Sequence, residues 1–188
     1  MEYKNTYEEA TVKYGFPDKN LNERFLFRSI LPGEADQAAR IEEICFPPNE
    51  ACSEKMMKER VAKAPELFLV AVDKQSGRIA GFLNGLSTNE SIFRDEFFTD
   101  AELYDPDGKN VMLLGLDVLP EYRMQGLARE IMLQYLRREH GRGRERVILT
   151  CLSSKVKMYE KMGFEDMGTA QSSWGGEQWH EMCRTLNH

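Results

Sequence analysis

Short apolar segments alternate with a helical pattern in the second half of the chain. Residues 111–118 and 146–151 are mainly apolar, which is typical of strands covered on both faces. Between them, residues 126–140 place apolar side chains three and four positions apart, as one face of a helix requires. Gly141 is predicted to end that helix in the left-handed conformation. A strand, a helix and a second strand in this order predict two parallel strands joined by a crossover helix.

The rest of the chain predicts three further helices and two antiparallel strand pairs. In the first helix, Ala38, Ile41 and Ile44 are expected to share the buried face. The predicted elements are a strand at 24–30, helices at 34–44, 54–64 and 154–162, a hairpin of 67–73 with 78–86, and a closing pair of 164–167 with 178–186. The hairpin makes the sheet mixed, so the order indicates one α/β domain at residues 25–188. Residues 1–24 are predicted to be a loosely docked N-terminal extension.

The composition is that of a globular protein. The 188 residues carry 25 Lys and Arg against 31 Asp and Glu, a formal charge of −6, and 41% are hydrophobic, which excludes a disordered chain. Net acidity argues against a nucleic-acid binder and favours cationic small molecules as ligands. No segment approaches the about 18 consecutive apolar residues of a membrane span. Residues 1–10 show no signal-peptide pattern, so we expect a cytoplasmic protein.

The cysteines and histidines show no spacing typical of a metal site or of a catalytic triad. The four cysteines are expected to be reduced, partly buried thiols. They are Cys45, Cys52, Cys151 and Cys183. Cys151, at the end of a predicted strand, is the one candidate nucleophile, but no basic neighbour in sequence would lower its pKa. The sequence therefore predicts no metal requirement.

Two segments leave a structural and a functional interpretation open. Residues 89–109 hold seven acidic and two basic side chains. They form either a solvated loop with a short helix or an acidic surface that attracts a cationic substrate. Trp174 and Trp179 flank Gly175-Gly176, and they either border a substrate site or belong to a hairpin turn.

The stretch from Leu116 to Ile131 (LDVLPEYRMQGLAREI) carries the clearest functional pattern. A buried strand ends, a turn containing Pro120 follows, and a helix opens with small residues at Gly126 and Ala128. Small residues let a ligand approach the backbone, and the free N–H groups of a first helical turn bind anions such as a diphosphate. The same small residues would also permit tight packing of the helix on the strand.

This pattern resembles the acetyl-CoA signature of the GNAT acetyltransferase superfamily, R/Q-x-x-G-x-G/A after a strand of the form L-x-V-x-P. Residues 158–164 (MYEKMGF) are similar to a second family element, a tyrosine on a short helix before Gly-Phe. The closing strand with Glu181-Met182 resembles the arylalkylamine (serotonin-type) N-acetyltransferase branch. The resemblance covers about residues 25–186. It implies a central, mixed, mostly antiparallel twisted sheet flanked by helices, with a splayed parallel strand pair at the coenzyme site.

The resemblance also implies a co-substrate, acetyl-CoA, and roles for residues of this chain. The backbone of residues 116–118 would bind the acetyl-pantetheine arm, and residues 124–129 would wrap the pyrophosphate. Tyr159 would protonate the departing thiolate. Without the family resemblance, the same tyrosine would be interpreted as an amphipathic core residue. The Leu116 N–H would stabilise the oxyanion that forms when an amine attacks the thioester. The predicted coenzyme-binding residues are Leu116, Asp117, Val118, Arg123, Met124, Gln125, Gly126, Leu127, Ala128 and Arg129.

One departure from the arylalkylamine branch concerns the proton acceptor. Met112 and Leu114 stand where that branch has two histidines, and neither accepts a proton. A substrate ammonium with a pKa near 10 must still lose a proton before it attacks. Either water molecules and carboxylates carry this proton away, or a single side chain accepts it. The candidate side chains are Asp117, Glu181 and His180. In a regular strand Asp117 points away from the site, unless a bulge near Gly115 resets the alternation.

The sequence therefore predicts an enzyme that moves an acetyl group from acetyl-CoA directly to a primary amine, in the first place a small cationic amine. No nucleic acid or membrane is expected as a partner. GNAT proteins are often dimers, which makes a homodimer an expectation without an identified interface. The alternative acceptor is a protein N-terminus or lysine. A second class of function is a non-catalytic module that binds acetyl-CoA, which the missing histidines suggest. Tyr159 argues against this class, because a protein that only binds has little use for a positioned acid.

Overall fold

A seven-stranded mixed sheet forms the centre of the protein. In the computed structural model, which describes residues 9–11 and 13–186, the strands lie in the order β1-β2-β3-β4-β5-β7-β6. The strands are β1 (Phe25–Ser29), β2 (Phe68–Asp73), β3 (Ile79–Thr88), β4 (Asn110–Val118), β5 (Arg146–Cys151), β6 (Glu165–Thr169) and β7 (His180–Thr185). The helices are α1 (Lys19–Arg24), α2 (Ala35–Cys45), α3 (Glu54–Lys63), α4 (Glu96–Thr99), α5 (Leu127–Gly141) and α6 (Val156–Glu160). The predicted α/β fold, a mostly antiparallel mixed sheet with flanking helices, is confirmed.

The two central strands β4 and β5 are parallel, joined by α5, and their pairing is short. In the described part of the chain their ladder runs only from Asn110↔Arg146 to Met112↔Ile148. Beyond it, β4 continues beside β3 to Val118 and β5 continues beside β7. The carboxyl halves of the two strands therefore separate, and a cleft opens between them.

A bulge in β4 shifts the alternation of its side chains. Asn84 of β3 pairs with Gly115, whereas the next residue, Gly85, pairs with Leu113. Leu114 is therefore an extra residue in β4. An extra residue moves the side chains that follow it to the opposite face of the sheet.

Helices cover both faces of the sheet. On one face α5 packs against β2, β3 and β4, and the buried Tyr135 hydroxyl donates a hydrogen bond to the Leu67 carbonyl at 3.0 Å. On the other face α2 packs against β3 and β4, with Asp117 next to Glu42. The buried residues of α2 are Ala35, Ala38, Ala39, Ile41 and Glu42. Ile44, expected on that side, is 57% exposed, because it lies about 200° around the helix from Glu42.

The end of α5 differs slightly from the prediction. The helix includes Gly141, and the Arg142 N–H still bonds to the Arg138 carbonyl. The left-handed residue is Gly143, with a φ of 77°. The chain therefore turns two residues later than predicted, because the last helical hydrogen bonds extend past Gly141.

The described part of the predicted N-terminal extension is packed against α5. Ala10, Tyr14 and Leu21 are buried, and the Tyr14 hydroxyl lies 3.2 Å from His140 Nδ1. The Asp18 N–H donates to a Glu130 carboxylate oxygen at 3.2 Å. These contacts dock residues 13–24 firmly, which differs from the loose docking expected; residues 1–8 and 12 lie outside the described chain. No helix within the described ranges has the length and apolar character needed to cross a bilayer.

Replacing Gly85 with alanine is expected to lower the free energy of unfolding by roughly 1–3 kcal/mol. An alanine Cβ would lie 2.7 Å from the Met112 carbonyl oxygen and 3.0 Å from the Tyr135 hydroxyl, so the bulge or α5 would have to move. Gly33→Ala is the matched control, because no atom of the described residues lies within 4 Å of its Cβ position. Urea unfolding measures both variants, and equal losses of stability would contradict the close approach at the bulge.

Candidate active site

A cavity of about 840 Å³ occupies the cleft between the carboxyl halves of β4 and β5. Its strand walls are residues 113–116 of β4 and 149–151 of β5. The turn before α5, the first turns of α5, the connection after α2 and helix α6 supply further walls. This volume lies within the range of small-molecule sites. The early end of the β4–β5 ladder therefore opens a cavity that a small ligand can enter.

The turn between β4 and α5 borders the cavity and depends on two left-handed residues. Gly126 is the N-cap of α5 with a φ of 85°, a conformation that glycine adopts without steric cost. Met124, with a φ of 61° and a fully exposed side chain, adopts the same region. A non-glycine residue there carries strain of about 1–3 kcal/mol, which is typical of functional sites. The free N–H groups of the first turn of α5 begin at this point and are available to an anion.

Most of the predicted coenzyme-binding residues line the cavity. They are Leu116, Val118, Arg123, Met124, Gly126, Leu127, Ala128 and Arg129. The remaining two lie elsewhere. Gln125 accepts a hydrogen bond from Arg24 at 2.9 Å, and the side chain of Asp117 is fully buried behind the cavity wall. The Val118 carbonyl already accepts a hydrogen bond from Arg123 Nε at 2.8 Å.

The charges of the cavity differ from one wall to another. The cationic side chains come from the turn before α5, the first turn of α5 and the segment around α6; they are Arg123, Arg129, Lys155 and Lys161. Glu42 and Glu50 come from α2 and the connection that follows it. The cationic wall suits an anionic ligand such as a diphosphate, and the acidic wall suits a cationic one. Within residues 9–11 and 13–186, no three His, Cys, Asp or Glu side chains are grouped closely enough to hold a metal ion.

Tyr159 lies on α6 and lines the cavity. Its half-buried ring packs edge-on against Phe164 with ring centroids 5.8 Å apart. Burial raises the pKa of the Tyr159 hydroxyl above its ordinary value, and the nearby Cys151 and Asp117 add to the effect. A raised pKa keeps the hydroxyl protonated at neutral pH, which is the state that a proton donor needs.

The other candidate side chains have different surroundings. Burial raises the pKa of Cys151 to about 11, so this cavity residue is a neutral thiol at neutral pH rather than an active nucleophile. His180 Nδ1 lies 3.1 Å from both carboxylate oxygens of Asp166, and Glu181 accepts the Phe93 N–H at 2.9 Å. Neither His180 nor Glu181 is among the described residues that line the cavity.

Aromatic side chains form a further wall of the cavity. Phe98, from the acidic segment 89–109, stacks on Trp174 with ring centroids 4.8 Å apart and an interplanar angle of 30°. The Trp174 Nε1 donates to the Glu50 carbonyl at 2.8 Å, and the Trp179 Nε1 donates to the Trp174 carbonyl at 2.9 Å. Both tryptophans therefore border the cavity, and α4 in the acidic segment contributes a buried aromatic ring to it.

Glu42 is a cavity residue that the sequence analysis missed. Its side chain is only 3% exposed, although glutamate is rarely buried without a partner. The signal was present in the sequence: Ala35, Ala38 and Ala39 are spaced so that position 42 continues the buried stripe of α2. A carboxylate at such a position indicates a buried charge with a specific partner.

Comparisons with known proteins agree with this geometry. A sequence model of the acetyltransferase (GNAT) family matches residues 35–164. The loading GNATL domain of CurA from Lyngbya majuscula superposes with a TM-score of 0.74 at 14% identity, covering 86% of this chain and 98% of that one. The GNAT-like decarboxylase GphF in complex with isobutyryl-CoA superposes with a TM-score of 0.71 at 18% identity, covering 86% and 100%. The ribosomal-protein-S18-alanine N-acetyltransferase from Escherichia coli gives 0.64 at 19% identity, covering 87% and 95%. Comparison with curated protein sequences finds no match.

Proposed function

The chain belongs to the GNAT acetyltransferase family, and from this premise we propose that it transfers an acetyl group from acetyl-CoA directly to a small cationic primary amine. The observation that carries the proposal is the cleft between β4 and β5, with the left-handed turn at Gly126 beside it. A thin acyl-pantetheine arm fits along an unpaired strand edge, and a diphosphate fits the first turn of α5. The cationic side chains around that turn support the same orientation.

The chemistry at the acetyl group is assigned to the backbone of β4 and to Tyr159. The amine nitrogen attacks the thioester carbon, and the Leu116 N–H stabilises the oxyanion that forms. Collapse of this intermediate breaks the C–S bond, and Tyr159 gives its proton to the departing sulfur. The raised pKa of Tyr159 supports this role, because the group is protonated when the sulfur leaves.

The acceptor is assigned to the aromatic and acidic part of the cavity. Phe98 and Trp174 offer flat apolar surfaces, and aromatic faces attract a cation as well as an apolar body. The carboxyl groups of Glu42 and Glu50 line the same region and offer oxygen acceptors to an ammonium group. A small amine with an apolar body therefore suits the site, which supports a small molecule ahead of a protein N-terminus or lysine.

Release of the free CoA thiol in the presence of acetyl-CoA and a panel of amines tests the proposal. We expect thiol release that depends on the amine and an acetylated amine identified by mass spectrometry. The panel should include alkylamines, arylalkylamines, polyamines and peptides with free N-termini. Acetyl-CoA binding without turnover on any member would indicate a binding module, and turnover on peptides alone would indicate a protein acetyltransferase.

Trp174→Ala is expected to raise KM for the best amine of the panel by about tenfold with a smaller change in kcat. The variant removes the ring that stacks on Phe98, so it removes contact area for the acceptor but none for the turn at Gly126. Phe16→Ala, which changes an aromatic residue that is 83% exposed, is the control. Steady-state kinetics with the amine varied measures both. An unchanged amine KM in Trp174→Ala would exclude the aromatic wall as the acceptor site.

A further inference from the structure

Glu42 and Asp117 meet at the wall of the cavity, together with Asn84 and Arg60. We propose that the two carboxyl groups share one proton in the resting protein, and that Glu42 accepts the proton that the substrate ammonium loses before it attacks acetyl-CoA. The proposal rests on the proposed acetyl transfer to an amine and identifies its proton acceptor. In this arrangement Asp117 is a positioning residue that acts through Glu42.

Three polar atoms of this cluster converge beside Gly115. The Cβ position at Gly115 lies 3.1 Å from Asp117 Oδ1, 3.3 Å from Asn84 Nδ2 and 3.4 Å from Glu42 Oε2. All three side chains are at most 3% exposed, and none of these atoms has a hydrogen-bond donor or acceptor partner within the described residues. Buried polar atoms are normally paired. A group of unpaired ones at a cavity wall indicates a site that exchanges protons or binds a polar ligand.

The two carboxyl groups satisfy each other only when one of them carries a proton. Arg60 supplies neither with a hydrogen bond, since its Nη1 donates to Asn84 Oδ1 at 3.3 Å and its Nη2 to the Phe98 carbonyl at 2.9 Å. Burial raises the pKa of Asp117 well above its ordinary value, and the charge of Glu42 raises it further, against a smaller lowering by Arg60. On this assignment Asp117 holds the shared proton at neutral pH and faces Glu42.

The other titratable groups around the pair leave this assignment intact. Cys45 lies on α2, Cys52 lies between α2 and α3, and Tyr159 lies on α6. Burial raises the pKa of Cys45, that of Cys52 to about 12, and that of Tyr159, so all three are neutral at neutral pH. Among the groups that shift the pKa of Asp117, Arg60 is the cation. One proton on the pair and one charge on Arg60 make the cluster electrically neutral, as burial favours.

Glu42 is the member of the pair that a substrate reaches. Glu42 and Gly115 both line the cavity, whereas Asp117 does not. The Cys52 N–H donates to Glu42 Oε1 at 3.0 Å, which holds the carboxylate and leaves Oε2 for the incoming proton. Glycine at position 115 keeps this approach open, because a Cβ there would stand among the polar atoms.

The proton and electron balance of the reaction closes with this assignment. Glu42 removes one proton from the ammonium, and the nitrogen lone pair forms the C–N bond. The C–S bond breaks, its electron pair stays on sulfur, and the sulfur takes a proton from Tyr159. Tyr159 recovers a proton from the amide nitrogen, and Glu42 releases its proton to solvent. The sum is an ammonium and acetyl-CoA giving an amide, the CoA thiol and one proton.

Isosteric variants test the assignment with 2-phenylethylamine as the acceptor. Glu42→Gln is expected to lower kcat by about 10²–10⁴-fold, the contribution of a positioned base, while Kd for acetyl-CoA changes less than about twofold. Asp117→Asn keeps a neutral hydrogen-bond donor at position 117 and is expected to retain kcat within about fivefold. Glu43→Gln makes the same chemical change at the exposed neighbouring position and is the control. A large loss in Asp117→Asn with a small loss in Glu42→Gln would overturn the assignment.

The basicity of the amine separates a proton acceptor from a structural residue. The β,β-difluoro analogue of 2-phenylethylamine is far less basic, so much of it is already neutral at the assay pH. The loss caused by Glu42→Gln is expected to shrink to less than about tenfold with this analogue. Equal losses for the two amines, or a Glu42→Gln variant within threefold of wild type, would refute the role of Glu42.

Infrared spectroscopy tests the shared proton without any acceptor. The wild-type protein at pH 7 is expected to show the carbonyl band of a protonated carboxyl group that Asp117→Asn lacks. Absence of that band from the wild type would overturn the proposal. Failure of the wild type to acetylate any amine would instead overturn the proposed function, so the two failures are distinguishable.

Discussion

Tyr159→Phe is expected to lower kcat by about 10²–10⁴-fold while Kd for acetyl-CoA stays close to that of the wild type. The substitution keeps the ring that packs against Phe164 and removes the proton assigned to the departing thiolate. Single-turnover measurements report the chemical step, and calorimetry reports the affinity. Tyr104→Phe is the matched control, since its hydroxyl bonds to Glu66 and it is not among the described residues that line the cavity.

The pH profile gives a second readout for Tyr159. An acid is competent below its pKa, and an ordinary tyrosine loses its proton near pH 10. Because burial raises the pKa of Tyr159, the wild-type kcat should stay constant through pH 10 and fall only above it. The phenylalanine variant should lack that alkaline limb. A variant within about threefold of wild type, with an unchanged profile, would show that the sulfur leaves without this acid.

Gly126→Val is expected to weaken acetyl-CoA binding by more than tenfold. Gly126 has a φ of 85°, which a β-branched residue adopts only with strain, and space alone is not limiting because the nearest atom to its Cβ position is Leu21 Cδ1 at 4.0 Å. The expected loss therefore comes from a change in the backbone of the turn. That change displaces the first N–H groups of α5 from the diphosphate.

Gly143→Val is the matched control for this prediction. Gly143 follows the other end of α5 and has a φ of 77°, and among the described residues no atom lies within 4 Å of its Cβ position. Both variants carry similar backbone strain, so both should lose similar stability in a thermal unfolding experiment. Calorimetry is expected to show weaker binding in Gly126→Val alone. Equal affinities for acetyl-CoA in the two folded variants would show that the turn is not part of the coenzyme site.

The order of the strands and of helices α2, α3 and α5 follows from local patterns and was determined by the sequence itself. Hydrophobic periodicity, Gly126 before α5 and the apolar residues 111–118 depend only on neighbours in the chain, so they predict β4, the turn and α5 closely. The left-handed conformation at Gly126 is also a local property of the chain. The family signature is also local. The residues that it identifies, Tyr159 and most of the turn, line the cavity.

The firm docking of residues 13–24 and the exposure of Ile44 needed the tertiary structure. Tyr14 and Leu21 are isolated apolar residues in a polar segment, and they become core residues only because α5 lies beside them. Ile44 continues a helical pattern, but the orientation of α2 on the sheet decides which side is buried.

The buried carboxyl pair is the part of the site that only tertiary structure decided. Asp117 reaches the face covered by α2 because Leu114 is an extra residue in β4, and that register depends on pairing with β3. Glu42 comes from a helix distant in sequence, and it meets Asp117 only when α2 packs on that face. Each element that carries one of these carboxyl groups was predictable from local sequence. Strand register and helix docking depend on residues far apart in the chain, so no local pattern could predict that the two groups meet.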